Sequence, residues 1–116
     1  MASANGSGHR EYVTSQRKRA GEIATDILAG RVSMLEGARQ LTRLRHEIEV
    51  GDDDPDIHAM VLIESETESL PIGAERASWG IRGLTENQPR LLDAEAWARE
   101  VGVEACRNLA RRFGAA

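Results

Sequence analysis

The chain has 116 residues, a formal net charge of −4 and a single cysteine. That is one domain of ordinary size, with no internal disulfide and no positive excess that would suit nucleic acid as its main partner. No apolar run approaches the ~18 residues needed to cross a bilayer, so the chain is expected to avoid membranes and to reside in the cytoplasm. Aromatics are limited to Tyr12, Trp79, Trp97 and Phe113, so the core must be aliphatic.

Residues 1–9 are small, polar and almost uncharged, carry no export signal, and read as a disordered tail ahead of a single helical domain over 10–114. From Arg10 to Ala29, Val13, Gln16, Ala20, Ile23, Ala24, Ile27 and Leu28 recur with the period of a helix, and Gly30 stands where a left-handed cap ends one. Gly21 inside that pattern suggests a close helix contact. Ser33 with Glu36 three residues on is a capping box. Met34, Leu35, Ala38, Leu41, Leu44 and Ile48 follow as its buried stripe, which Gly51 is expected to close. Asp54-Pro55 supplies an N-cap and a first-turn proline for a third helix. The run Met60 to Ile63 also fits a buried strand, but the start signals favour helix. Ser65 to Gly83 reads as irregular, with a short helical turn over Ala74 to Trp79. Pro89 opens the last helix, whose stripe includes Leu92, Ala94, Trp97, Ala98, Val101, Ala105, Cys106, Leu109 and Phe113, with Gly102 as a bend or break and Gly114 as its cap. The expected fold is all-α, a small bundle of about four helices with an irregular connection before the last.

Candidate chemistry is thin. Asp52, Asp54 and Asp56 alternate as in a calcium loop, but Ile57 and Ile63 stand where such a loop needs glycine and glutamate. Asp54 and His58 are four apart, and His46 has Glu47 and Glu49 beside it, yet no Glu-x-x-His pair completes a metal site. Cys106 lies on an apolar stripe and reads as a buried hydrophobe. Nucleophile-elbow and nucleotide-loop patterns are missing. The sequence therefore assigns no catalytic residue, metal or cofactor. Arg17-Lys18-Arg19 and Arg39, Arg43 and Arg45 could touch phosphates, but neighbouring acids offset them and a solvated helix face is the simpler reading.

The charge layout is the one unusual feature. From His46 to Glu75 there are ten acids (Glu47, Glu49, Asp52, Asp53, Asp54, Asp56, Glu64, Glu66, Glu68 and Glu75) and no lysine or arginine. A one-signed sector steers a basic partner. Asp52, Asp53, Asp54, Asp56, Glu64, Glu66 and Glu68 are its candidate partner-binding residues, with Glu64 to Glu68 expected on a loop. The alternative within the chain is pairing with its own arginines, such as Arg76 and Arg82. On this basis the expected role is a protein–protein interaction module, in an immunity- or antitoxin-like form that covers a basic surface. Two further possibilities are a small metal- or ligand-binding helical enzyme using His46, His58 and nearby carboxylates, and a homodimer formed through exposed apolar residues of the third helix.

Gly37-Ala38-Arg39, Leu44-Arg45-His46, Ser65-Glu66-Thr67, Leu70-Pro71-Ile72-Gly73 and Trp79, with the closing Ala105-Cys106-Arg107, make a recurring set. In these the chain resembles, over roughly residues 20 to 113, a group of small bacterial proteins of no assigned activity. The resemblance implies no functional residue; it implies that Ser65 to Trp79 is the distinctive segment.

Overall fold

In the computed structural model, described over residues 2–51, 53–70 and 80–114 without the side chains of 2–7, 81, 83 and 84, the described chain is helical and has no strand. The first helix, α1, spans Ala2–Leu28. It is therefore helical from residue 2, eight residues before the periodic stripe begins, where a disordered tail was expected. Its end is legible in the sequence. Gly30 takes φ +79, its N–H donates to the Ile27 carbonyl at 3.1 Å, and Arg31 N–H reaches the Asp26 carbonyl at 2.9 Å. This double closure is the Schellman arrangement, which glycine enters without a Cβ penalty.

Helix α2 spans Met34–Leu44, with Ser33 as N-cap accepting from Glu36 N–H at 3.1 Å. It stops earlier than the expected Gly51. Beyond Leu44 the bonds tighten, with Arg45 N–H to Thr42 O at 3.2 Å and Glu47 N–H to Leu44 O at 2.9 Å. Glu49 then turns to φ +50 and Gly51 to φ +90. The carbonyls freed by this turn are collected from α1, where the Arg17 guanidinium donates to Ile48 O at 2.8 Å and Glu49 O at 3.3 Å. Ile48 is still fully buried, so the stripe was right where the helix boundary was not.

Helix α3 spans Pro55–Thr67. Asp54 caps it by accepting from Asp56 and Ile57 N–H at 3.1 and 3.0 Å. The run Met60 to Ile63 is helical, not a strand. So is Glu64 to Thr67, which was expected on a loop. Thr67 continues the buried face of Ile63, one turn before it, and donates its hydroxyl to the Ile63 carbonyl at 2.6 Å. The turn expected over Ala74 to Trp79 lies outside the described residues.

Helix α4 spans Gly80–Phe113, and Pro89 lies inside it rather than at its start. Proline has no N–H for the carbonyl four residues earlier, so Pro89 marks a mechanically weak point in α4. It falls where packing begins. Between 82 and 90 every described side chain is exposed except half-buried Asn87, whereas Leu91, Ala94 and Trp97 pack on the core and Ala98 is fully buried. Leu92, expected in the stripe, is 64% exposed. Eleven residues of α4, about 16 Å of helix, therefore run past the core.

Contacts between helices give an up-down-up-down order. Ile27 of α1 meets Gly37 of α2, and Arg17 meets Ile48. Arg39 of α2 meets Thr67 of α3. Met60 and Ile63 of α3 meet Gly102 of α4, while Asp56 meets Asn108. The end of α4 closes on α1 at Gly21, where a Cβ would collide with the backbone of Phe113 and Gly114. That is the close contact Gly21 suggested. Gly102 likewise serves packing, since a Cβ there would press on Ile63, Met34 and Met60. The core is aliphatic, centred on Ile27, Met34, Leu41, Ile48, Met60, Ile63 and Leu109. The radius of gyration, 15.8 Å, exceeds the ~13 Å of a compact domain this long, because α1 and α4 both outrun the bundle. Among the described residues, no helix is long and apolar enough to cross a membrane.

Candidate functional site

The eight described acids of the base-free sector separate into two groups once the helices close. The first group is held by α1 and α4. His9 Nε2 lies 2.9 Å from Glu49 Oε2. Glu47 faces Tyr12, whose phenol is raised above its usual 10.0 chiefly by its hydrogen bond to that carboxylate. Arg112 Nη1 lies 2.9 Å from both Asp54 Oδ1 and Asp56 Oδ2, and Asn108 Nδ2 donates to Asp56 Oδ1 at 3.0 Å. These two aspartates keep only about a tenth of their side-chain surface, so they are structural links between α3 and α4. Phe113 completes the corner, with Arg112 and Arg17 over its ring at 4.8 and 5.7 Å. Asp52 and Glu75 lie outside the described residues, as does Arg76. Arg82 pairs with Glu86 on its own helix.

The second group stays accessible. Asp53 is exposed in the α2–α3 connection. At the end of α3, Glu66 and Glu68 are exposed and Glu64 is half-buried. Because this segment is helical, Glu64 and Glu68 share one face, one turn apart, while Glu66 points round towards α4. Two clefts follow from that division. One, of about 410 Å³, lies between the end of α3 and α4 and is lined by Glu66, Thr67, Ser69 and Leu70 opposite Arg90, Asp93, Ala94 and Trp97. The other, of about 350 Å³, lies between α2 and α3 and is lined by Arg39, Thr42, Arg43, Arg45, Glu64 and Glu68.

Arg39 holds the end of α3 in place. Its side chain is buried, and Nη2 donates to the carbonyls of Thr67, Glu68 and Leu70 at 3.0, 3.1 and 3.1 Å. A cation at a helix C-terminus also suits the helix dipole. The mirror arrangement closes the start of α2, where the Glu95 carboxylate of α4 accepts from Met34 and Leu35 N–H at 2.8 and 3.2 Å and is steadied by Arg99. Neither role was visible in sequence, where Arg39 read as part of a solvated basic face and Glu95 carried no signal.

The histidines of the metal reading, His46 and His58, are both exposed. His46 Nε2 accepts from Arg45 Nε at 3.2 Å. Among the described residues no three of His, Cys, Asp and Glu come together as a metal-ligating group. Cys106 is fully buried, 3.8 Å from Met34 Sδ. Burial pushes its thiol from 9.0 up to about 11, against the nearby Arg99, so at neutral pH it is protonated and shielded. The folded state therefore binds this proton more tightly than the unfolded chain. The stability so gained is complete below pH 9.0 and lost as pH climbs to about 11. Native protein should leave Ellman's reagent unreacted at neutral pH, and a Cys106→Ala variant should flatten the alkaline fall in stability.

Compared with family models, with curated proteins and with solved structures, the chain finds no match in any of the three.

Proposed function

We propose that this protein is a protein–protein interaction module that receives a basic, amphipathic helix of a partner protein at the junction of α3 and α4. The observation that carries the reading is the exposed first stretch of α4, which runs past the core directly beside the accessible acids. A solitary helical stretch of this length gains little from its own hydrogen bonds in water, and Pro89 loosens it further, so a docked partner would add the packing it lacks. Leu92 lies 64% exposed at its base, and the adjoining cleft offers Trp97, Ala94 and Leu70 to an apolar side chain. Among the described residues Glu66 and Asp93 line the same cleft against Arg90, and Glu68 lies nearby on α3. The local charge thus favours lysine and arginine on the incoming helix. Glu64 faces the arginines of α2, Asp53 lies at the opposite end of α3, and Asp54 and Asp56 are committed to Arg112. An inhibitor that covers a basic active site, as immunity proteins and antitoxins do, is the concrete form of this role.

The test is an amide-shift titration of the nitrogen-labelled chain with a lysine- and arginine-rich amphipathic helical peptide and with its glutamate-rich counterpart. The basic peptide is expected to shift amides of 64–70 and 90–97, with the effect lost at high salt and in Glu66→Lys/Glu68→Lys. A charge-blind response, or shifts confined to other helices, would remove the proposal.

A further inference from the structure

We propose that the cleft between α2 and α3 is a small-molecule site for a zwitterion of the α-amino-acid class, on the opposite side of the end of α3 from the docking cleft and sharing Glu68 with the docking face. Six polar or charged side chains line its roughly 350 Å³, with no apolar residue among the described ones, and that volume lies within the range of ligand pockets. Its two walls have opposite sign. Helix α2 and its C-terminal turn contribute Arg39, Arg43 and Arg45, and α3 contributes Glu64 and Glu68.

These charges are not equivalent. Arg39 is the structural back wall, committed to the carbonyls of Thr67, Glu68 and Leu70. Arg45 is partly oriented by the Thr42 carbonyl and His46, at 3.4 and 3.2 Å. Arg43 is exposed, which leaves its guanidinium fork accessible to a carboxylate in the two-pronged geometry that suits it. Glu64 and Glu68, one helical turn apart, form a matching pair of acceptors for an ammonium group.

A second, independent observation comes from Thr42. It is 5% exposed, lines the cleft, and its Oγ1 has no hydrogen-bond partner among the described residues. A buried hydroxyl without a partner is costly; its oxygen is closed to solvent as placed, and a rotation of the Thr42 side chain towards a carboxylate held between Arg43 and Arg45 would satisfy it. A lone anion would meet Glu64 and Glu68, and a lone cation would meet the arginines. A compact molecule carrying both charges satisfies both walls.

Amide-shift titration and calorimetry with glycine and alanine, against acetate and methylammonium as single-charge controls, test the assignment. The amino acids are expected to shift amides of 42–45 and 64–68 and to bind roughly tenfold more tightly than either control. Arg43→Gln, at an exposed position, should fold normally and weaken binding about tenfold, since one charge-assisted pair is lost. Thr42→Val should raise the melting temperature, by removing the buried hydroxyl, and also weaken binding. Absence of saturable shifts with the amino acids, or equal binding of acetate alone, would overturn the proposal. Arg43 and Thr42 take no part in docking, so this failure and failure of the docking reading are distinguishable.

Discussion

Replacing Arg39 with methionine is expected to destabilise the fold by about 3 kcal/mol, the cost of losing hydrogen bonds from a buried charged group. Methionine fills much of the same volume, so packing around the stem is largely kept. The loss falls on the carbonyls of Thr67, Glu68 and Leu70, which together end α3. With the guanidinium gone they face a buried space with no donor, and the last turn of α3 must fray to reach water. Arg39→Lys should recover only part of the loss, because an ammonium cannot offer the same planar fork. Urea denaturation followed by circular dichroism measures both variants. A loss below about 0.5 kcal/mol for Arg39→Met, the range of ordinary surface changes, would mean that the α3 end is held by something else.

Asp54→Ala is expected to cost about 2 kcal/mol, because one carboxylate has two functions. It caps α3 by accepting from two backbone N–H groups, and it faces Arg112 at 2.9 Å with only 9% of its side-chain surface exposed. Asp54→Asn separates these contributions, since asparagine is as good a cap but carries no charge. It should therefore lose about 1 kcal/mol or less. Equal losses for the two variants would show that the ion pair carries the whole effect. No loss for either would show that Pro55 and the core set the start of α3 unaided.

The contrast between Asp54 and Arg39 explains how much of this fold can be read from sequence. Signals within one turn of each other were legible. Gly30 ends α1, Ser33 starts α2, and Asp54-Pro55 starts α3, because each depends on local backbone geometry. The aliphatic stripes were legible for the same reason, down to Ile48 and Cys106. What escaped depends on partners far along the chain. Arg39 acts on carbonyls 28 to 31 residues away, Arg17 on a turn 31 and 32 residues away, and Glu95 on amides 60 and 61 residues away. These distant caps support boundaries that local propensity placed wrongly. Glu64 to Thr67 looked too polar for a helix, yet Thr67 is buried and Arg39 closes the turn beyond it. The turn after Leu44 looked like more of α2, until Arg17 gave its carbonyls another partner.

The same logic divides the acidic sector. In sequence its ten carboxylates are a single run with no base among them. In the fold the bases arrive from α1 and α4 and take up Glu49, Asp54 and Asp56, in the earlier part of the run, leaving Asp53 exposed. The second half lies at the far end of α3, beyond the reach of Arg112 and His9. Its accessible members are Glu66 and Glu68, beside the exposed stretch of α4. That is a narrower and more specific surface than composition alone suggested, and it carries an apolar floor at Trp97 and Leu70.

Hydrogen exchange along α4 in the isolated protein and with the lysine- and arginine-rich helical peptide added tests this account most directly. Amides of 82–88 and 90 should exchange orders of magnitude faster than those of 98–109 in the free chain, and should slow markedly when the basic helical peptide binds. Uniform protection along the whole of α4 in the free monomer would contradict it, as would an exposed stretch that stays fast in a saturated complex.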